Sequence, residues 1–403
     1  MPDLFVKCRE FVSSNRRRAS TDLFQKVFGR PLPPRNSGSR VLNNGQQMLQ
    51  FGSNDYLGIA DHPVVHNAFV EAADEFGPAA PMGSRLLTGT TRLHLAIEEE
   101  LAAFKETEAA LVFSAGAMAT MGVVSSLFGR DDLLLIDERA HASLHLGAQA
   151  SRATVRVFRH NDLGHLEDLL RRNVDRRPVG VVVDGVCSMH GDVAPFQELR
   201  ALKATYHFRL IVDDAHGTGV FGPQGKGTAF EFATSDVVDL HLGTFSKAFG
   251  TIGGFVCGPN DVITFLRYNC PTFIFTKAMP AAIAAATRAA LRLVQEADAA
   301  RETLWENARY LRSRLQGTEF SVGPTESPIT PLVARGEEAL RWCARLDSLG
   351  ICTAAVTYPA VPLGTSLLRL TPTAAHSKAD IDRLVEALRI VRAGDILGRL
   401  LPA

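Results

Sequence analysis

The sequence predicts an α/β protein: a large domain on a mostly parallel sheet, followed by a smaller α+β domain. Two observations predict it. From residue 109 to about 257, short apolar runs of strand length alternate with stretches of helical periodicity, the pattern of repeated βαβ units. After a long helical stretch over 280–315, that alternation gives way to a shorter mixed set of elements. A chain of 403 residues is also longer than one core usually serves. The organisation expected is an N-terminal arm at 1–50, a large domain at 51–290 and a small domain at 291–403.

Taken in order, residues 3–28 read as an amphipathic helix, followed by a Pro/Gly/Ser-rich link over 29–38. A short strand over Met48–Phe51 leads into Gly52-Ser-Asn54-Asp-Tyr-Leu-Gly58. Helical spacing then covers 63–76 and 92–104. Between them, 77–90 carries too many Gly and Pro residues for an element, and a loop of that length in a compact domain is usually functional. Strands follow at 109–113, 132–136, 154–158, 179–184, 209–213, 238–242 and 252–257, with helices at 117–128, 142–149, 164–172 and 195–206. The small domain has strands near 328–333 and 366–370 and helices at 336–349 and 377–393. No internal repeat is visible.

Composition excludes some function classes. Acids and bases balance at 43 each, which leaves no electrostatic footprint for nucleic acid. The Ala-rich segment Pro280–Val294 is interrupted by Arg288 and Arg292, so it reads as a packed helix and not a membrane span. The chain starts Met-Pro-Asp and soon reaches Arg16-Arg17-Arg18, without the apolar core of a secretory leader; the arginines read as a solvated helix face. Cys8, Cys187, Cys257, Cys270, Cys343 and Cys352 show no metal spacing. Several lie in apolar strands, which suits reduced thiols in a cytoplasmic protein, and no metal is expected.

The chemistry centres on Gly243-Thr244-Phe-Ser246-Lys247-Ala-Phe-Gly250, just after an apolar run. A lysine in apolar, glycine-rich surroundings is held partly as the nucleophilic amine and can form a Schiff base with a carbonyl. It could equally contact a phosphate or serve the structure. Upstream, Arg209-Leu-Ile-Val-Asp213-Asp214-Ala-His216-Gly is a strand ending in acids, then a histidine. Pyridoxal phosphate needs a lysine, a carboxylate for its pyridinium nitrogen and a phosphate cradle; Asp213 and Lys247 at strand ends supply the first two. Phe113-Ser114-Ala-Gly116-Ala117 runs from strand into helix, where free N–H groups accept an anion.

Thr-Phe-Ser-Lys247-Ala-Phe-Gly, Val-Asp213-Asp-Ala-His216-Gly-Thr-Gly, Asn54-Asp-Tyr-Leu-Gly, His141-Ala-Ser and Leu-Arg369-Leu-Thr-Pro-Thr-Ala-Ala-His, spread in order from about 51 to 390, resemble the α-oxoamine synthases. These are fold-type I pyridoxal phosphate enzymes that condense an amino acid with an acyl thioester and release carbon dioxide. The resemblance implies that Lys247 binds the cofactor and later moves the α-proton, and that Asp213 holds the ring nitrogen. It implies that His216 and Ser188 reach the phenolic oxygen, and that His141 stacks on the ring and acts in proton transfer. Phosphate contacts would come from Gly116, Ala117 and Thr244, and from Thr276 in the neighbouring subunit, which implies a homodimer with shared active sites. Arg369, with Asn54 as a second contact, would hold the amino acid carboxylate. An arginine inside an apolar strand is costly without an anion, and its fork suits a carboxylate.

Some positions depart from the family pattern. Asp184 and Ser188 lie in Asp-Gly-Val-Cys-Ser-Met-His190-Gly, where the family carries aspartate in place of His190; a local change at a turn is expected. Thr120 stands where asparagine is usual. Ser84, in Met82-Gly-Ser84-Arg85, resembles members that take L-alanine; glycine users have threonine there, which crowds an α-substituent. L-alanine is therefore the expected substrate, with glycine and L-serine next. Ala360 is smaller than the residue usual at its substrate-lining position, which leaves the acyl group open, carried on coenzyme A or a carrier protein. A fold-type I aminotransferase shares the Asp/Lys pair but fits the His-Ala-Ser and Arg369 segments poorly.

Overall fold

A computed structural model describes residues 3–10, 27–28, 38–43, 45–173 and 177–400, with side chains as far as 393. Most of the expected helix over 3–28, its Arg16–Arg18 face and most of the link at 29–38 lie outside the described residues. The chain divides into two compact units, Asn54–Leu304 and a second joining Met1–Ser53 to Trp305–Ala403. Strands β1 (Arg40–Asn43) and β2 (Gln46–Gln50) belong to the second.

In the Asn54–Leu304 unit, seven strands form one sheet: β3 (Ala109–Phe113), β4 (Leu133–Asp137), β5 (Thr154–Phe158), β6 (Val179–Asp184), β7 (Arg209–Asp213), β8 (Leu240–Thr244) and β9 (Gly254–Gly258). Their order is β3-β9-β8-β7-β6-β4-β5. Only β9 runs against the rest. Leu133-Leu-Leu-Ile-Asp137 is buried along its whole length, which is why the central strands read as unbroken apolar runs: helices cover both faces of a parallel sheet. Those helices include α1 (Pro63–Phe76), α2 (Arg92–Phe104), α3 (Gly116–Leu127), α4 (Ala142–Ala150), α5 (Leu163–Arg171) and α6 (Phe196–Thr205). The core packs Val123, Leu134, Ile136, Leu144, Val182 and Leu242 together. The connection after β4 runs outward to β5, whereas that after β6 runs the other way to β7. Side by side, β4 and β6 make a topological switch point, where ligands gather in open α/β sheets.

Beyond α7 (Thr228–Glu231), two helices that the sequence reading left unassigned follow β9: α8 (Asn260–Asn269) and α9 (Pro271–Ile274). They bury Ile263, Leu266 and Phe273. The helix expected over 280–315 is two, α10 (Ala281–Glu296) and α11 (Asp298–Leu315). The break falls at Ala297, and Arg301 explains why the ends tolerate it. Its Nη1 donates to the Val294 carbonyl at 2.5 Å and its Nη2 pairs with Asp298, so one buried guanidinium satisfies the end of α10 and the start of α11.

In the second unit, β12 (Ile351–Cys352) adds in parallel to the β1–β2 hairpin. A four-stranded antiparallel sheet takes the order β10-β11-β14-β13 from β10 (Ser321–Val322), β11 (Thr330–Arg335), β13 (Ala354–Val356) and β14 (Thr365–Leu370). The helices α12 (Glu338–Ser348) and α13 (Lys378–Leu400) pack Trp342, Leu346, Leu384 and Leu388 against Leu332 and Leu368. Among the described residues, no helix is long and apolar enough to cross a membrane.

Candidate active site

The carboxyl ends of β6, β7 and β8, with the turns after β3 and β4, line one cavity of about 180 Å³. The sequence-predicted residues Gly116, Ala117, His141, Asp184, Ser188, Asp213, His216, Thr244 and Lys247 all line it. No two of these segments are sequence neighbours; the sheet brings them together.

At one side the cavity meets the start of α3. The residue before that helix, Ala115, offers no side-chain cap, so the first-turn N–H groups of Gly116 and Ala117 keep their donors for an anion. Glycine is required at 116: a Cβ there would lie 2.8 Å from Thr244 Oγ1 and 3.0 Å from its Cβ. Thr244 Oγ1 donates to the Gly253 carbonyl at 2.8 Å and lies 2.8 Å from Ser246 Oγ. Since Thr244 has one proton and spends it on Gly253, Ser246 is the donor in the pair with Thr244, and its exposed hydroxyl also lines the cavity. Sequence reasoning missed Ser246, although residues 244 and 246 fall on the same side of an extended chain.

Across the sheet, Asp184 and Asp213 end adjacent parallel strands in register. Burial pushes the Asp184 carboxyl well above its usual range, and the Asp213 charge beside it adds to the rise. The backbone N–H of His141 donates to Asp184 Oδ1 at 3.2 Å, and that of Ala215 to Asp213 Oδ1 at 3.1 Å. Two carboxyls beside one amine, Lys247, suit a site that receives a cation.

His141 caps α4 and also lines the cavity, so a histidine ahead of a helix can serve as its cap and still face the site. The Ser143 N–H donates to its Nδ1 at 3.3 Å, which makes Nδ1 the acceptor and leaves the proton on Nε2. Ser143 Oγ lies 2.7 Å from the same nitrogen, and Thr120 Oγ1 is 2.7 Å from Ser143 Oγ. Partial burial lowers the His141 pKa; Asp213 opposes this and Lys247 reinforces it, with the net shift downward. The ring is thus neutral at pH 7. On the other side, Tyr56 Oη lies 2.7 Å from His216 Nδ1. Tyr56 belongs to the Asn54-Asp-Tyr-Leu-Gly stretch, from which only Asn54 was singled out.

The remaining predicted residues lie outside this lining. Thr276 is half-buried in the loop after α9, next to the exposed Phe275. Ser84 closes a turn, its carbonyl accepting from the N–H groups of Leu87 at 3.1 Å and Gly89 at 2.7 Å. The same loop is anchored by Arg85, buried and paired with Glu98 at 2.9 Å. Asn54 opens the loop before α1. In the second unit, Arg369 is buried in β14, opposite Pro331 and Ala354, and Ala360 is exposed on the loop before β14.

The donor set fits pyridoxal phosphate. Uncapped helix amides suit its phosphate, a buried carboxylate its pyridinium nitrogen, and an amine its carbonyl carbon. Comparison with known proteins agrees. The family model "Aminotransferase class I and II" matches residues 46–388. The 8-amino-7-oxononanoate synthase of Geobacter sulfurreducens is 42% identical over 364 residues, 90% of this chain and 92% of the relative. A serine palmitoyltransferase from Bacteriovorax stolpii is 37% identical over 350 residues, 86% and 83% of the two chains. In structure, the Sphingomonas wittichii serine palmitoyltransferase superposes with a TM-score of 0.91 at 32% identity, over 98% of this chain and all of the other. Another structure of such an enzyme, solved with pyridoxal phosphate, has a TM-score of 0.92 at 32% identity, covering 99% of both chains. With its motifs, fold and relatives in agreement, the chain belongs to the aminotransferase class I and II family and, within it, to the α-oxoamine synthases, acyltransferases that depend on pyridoxal phosphate.

Proposed function

We propose that the enzyme condenses L-alanine with an acyl thioester, on coenzyme A or a carrier protein, giving an α-aminoketone, carbon dioxide and free thiol. The observation that carries this reading is the convergence of Lys247, Asp213 and His141 with the uncapped start of α3 on one cavity. Ser84 and the similarity to 8-amino-7-oxononanoate synthases favour alanine over glycine. The serine palmitoyltransferases among its structural neighbours make L-serine the second reading. The exposed Phe275 beside Thr276 supports a homodimer in which Thr276 serves the partner's phosphate, and the buried free cysteines suit the cytoplasm.

When bound, pyridoxal phosphate supplies a carbonyl for an amine and a ring that accepts electrons from Cα. Asp213 keeps the ring nitrogen protonated. Gly116, Ala117, Thr244 and Ser246 hold the phosphate; His216 and Ser188 hold the phenolic oxygen. Arg369 grips the substrate carboxylate through its fork, with Asn54 as a second contact. Lys247 Nζ takes the α-proton. As Cα bonds to the thioester carbonyl carbon, the C–S bond breaks and the thiol leaves. His141 hydrogen-bonds the carbonyl oxygen through Nε2–H while negative charge builds there, and the departing thiolate takes its proton from solvent. The carboxylate then departs as carbon dioxide, and Lys247 returns a proton to Cα. A donor placed at such a developing charge is worth ~10²–10³-fold, so His141→Ala is expected to lose that much turnover while retaining the cofactor.

The test is an absorbance titration of the purified enzyme with glycine, L-alanine and L-serine, then with a short and a long acyl-CoA. The expected result is a visible cofactor band that is lost in Lys247→Ala and that L-alanine perturbs most, with thioester-dependent turnover. A larger response to L-serine would overturn the alanine reading.

A further inference from the structure

A second group of ligand-bearing side chains lies outside the cofactor cavity, on the loops that follow β5 and β6. His160 comes from the first loop; Cys187 and Asp192 come from the second, and one donor atom of each lies within 4.8 Å of the others. His190 stands beside Cys187, its Nδ1 3.9 Å from Sγ, but it is not one of the three residues whose donors lie mutually within 4.8 Å, so its ring must swing toward His160 and Asp192 to become a fourth ligand. We propose that His160, Cys187, His190 and Asp192 bind one zinc-class divalent cation.

The donor chemistry selects the class. One thiolate, two imidazoles and a carboxylate match the borderline-soft preference of Zn²⁺ and Co²⁺, whereas Mg²⁺ and Ca²⁺ take oxygen ligands. The spacing is C-x-x-H-x-D, with the second histidine from a separate loop. Typical bonds of about 2.3 Å to sulfur and 2.0–2.1 Å to nitrogen put a tetrahedral S···N edge at roughly 3.5 Å. The 3.9 Å edge between Cys187 and His190 needs to close by a few tenths of an ångström, and the His190 ring must also move toward His160 and Asp192, which already lie within 4.8 Å of each other and of Cys187.

Two further features fit a metal. His160 Nδ1 is hydrogen-bonded to Asp137 Oδ1 at 2.8 Å, the outer carboxylate that orients a metal-binding imidazole, and its Nε2 is turned to Asp192. Asp192 Oδ1 is buried and accepts no hydrogen bond from another residue, although Asn161 Nδ2 donates to Oδ2 at 3.2 Å. A cation would satisfy that oxygen. Binding is a ligand exchange without redox change: the proton shared by His160 Nε2 and Asp192 and the Cys187 thiol proton leave to solvent as the metal–nitrogen and metal–sulfur bonds form. His190 is the residue that distinguishes this loop from the α-oxoamine synthase pattern, which has aspartate there. The cysteine spacing alone predicted no metal because His160 lies 27 positions before Cys187.

The experiment uses the holoenzyme, stripped by chelator and dialysed against Zn²⁺, with bound metal measured per chain and Co²⁺ as the spectroscopic probe. The wild type is expected to bind one Zn²⁺ saturably. Its Co²⁺ form should show four-coordinate bands to the red of the cofactor, with a thiolate charge-transfer band. Cys187→Ser and His190→Asn should each weaken binding about tenfold or more while keeping the cofactor band, which reports the fold. No saturable binding to the wild type, unchanged affinity in His190→Asn, or a Co²⁺ spectrum without a thiolate contribution would each overturn the site. The wild-type spectrum and His190→Asn decide the matter even if Cys187→Ser does not fold.

Discussion

Tyr56 and Thr120 act on the cavity through two histidines. The Tyr56 hydroxyl lies 2.7 Å from His216 Nδ1 and holds the orientation of that ring beside the cavity. Tyr56→Phe is expected to cost about 1 kcal/mol, roughly a fivefold loss of cofactor affinity, and to move the pH midpoint of the bound cofactor's absorbance. An unmoved midpoint would assign Tyr56 to packing alone. Lys105 presents a different case. It is fully buried, with Nζ donating to Thr218 Oγ1 at 2.8 Å and lying 3.6 Å from Asp214 Oδ2. Lys105→Met leaves a buried carboxylate without its cation and should destabilise the fold by about 3 kcal/mol or more, read from a denaturant midpoint. Lys247, Asp213 and His141 were legible because each sits inside a short local motif. Tyr56 and Lys105 were not, since their partners lie 160 and 113 positions away and no local pattern marks them.

The start of α3 separates cofactor binding from stability. The helix preference of alanine over glycine, up to ~1 kcal/mol, works against the crowding of its Cβ on Thr244, so Gly116→Ala is expected to change apo stability by no more than about 1 kcal/mol. The added Cβ pushes on Thr244 and should weaken cofactor binding about tenfold; equal affinity, measured by equilibrium dialysis, would contradict the cradle. At the α10–α11 junction, Arg301→Ala removes a charged donor from a helix end and is expected to cost about 1–2 kcal/mol. The parallel strands and flanking helices were legible from apolar runs and 3.6-residue periodicity. The junction was not, because helical spacing continues across Ala297 and only Arg301 folded back onto Val294 marks the stop. Strands such as β10, β12 and β13 are two or three residues long, too short for a period to register.

Across the whole molecule, three buried histidines share one pH consequence. Burial depresses His94 and His376 to about 4 and His241 to about 3, from an unfolded value near 6.5. A group with a depressed folded pKa contributes stability that is present above its unfolded pKa and is lost as pH falls through the folded value. Stability should therefore decline from pH 6.5 toward 4, with up to three protons taken up on unfolding. Denaturant midpoints flat across that window would contradict the burial of these rings. Decarboxylative condensation leaves two products in fixed ratio, and their balance reports it directly. The enzyme is incubated with carboxyl-labelled L-alanine and an acyl-CoA, and labelled carbon dioxide and free thiol are counted together. Equal amounts of both are expected, each dependent on the other substrate and absent in Lys247→Ala. Amino transfer from alanine to a 2-oxo acid, with no carbon dioxide and no need for a thioester, would contradict it.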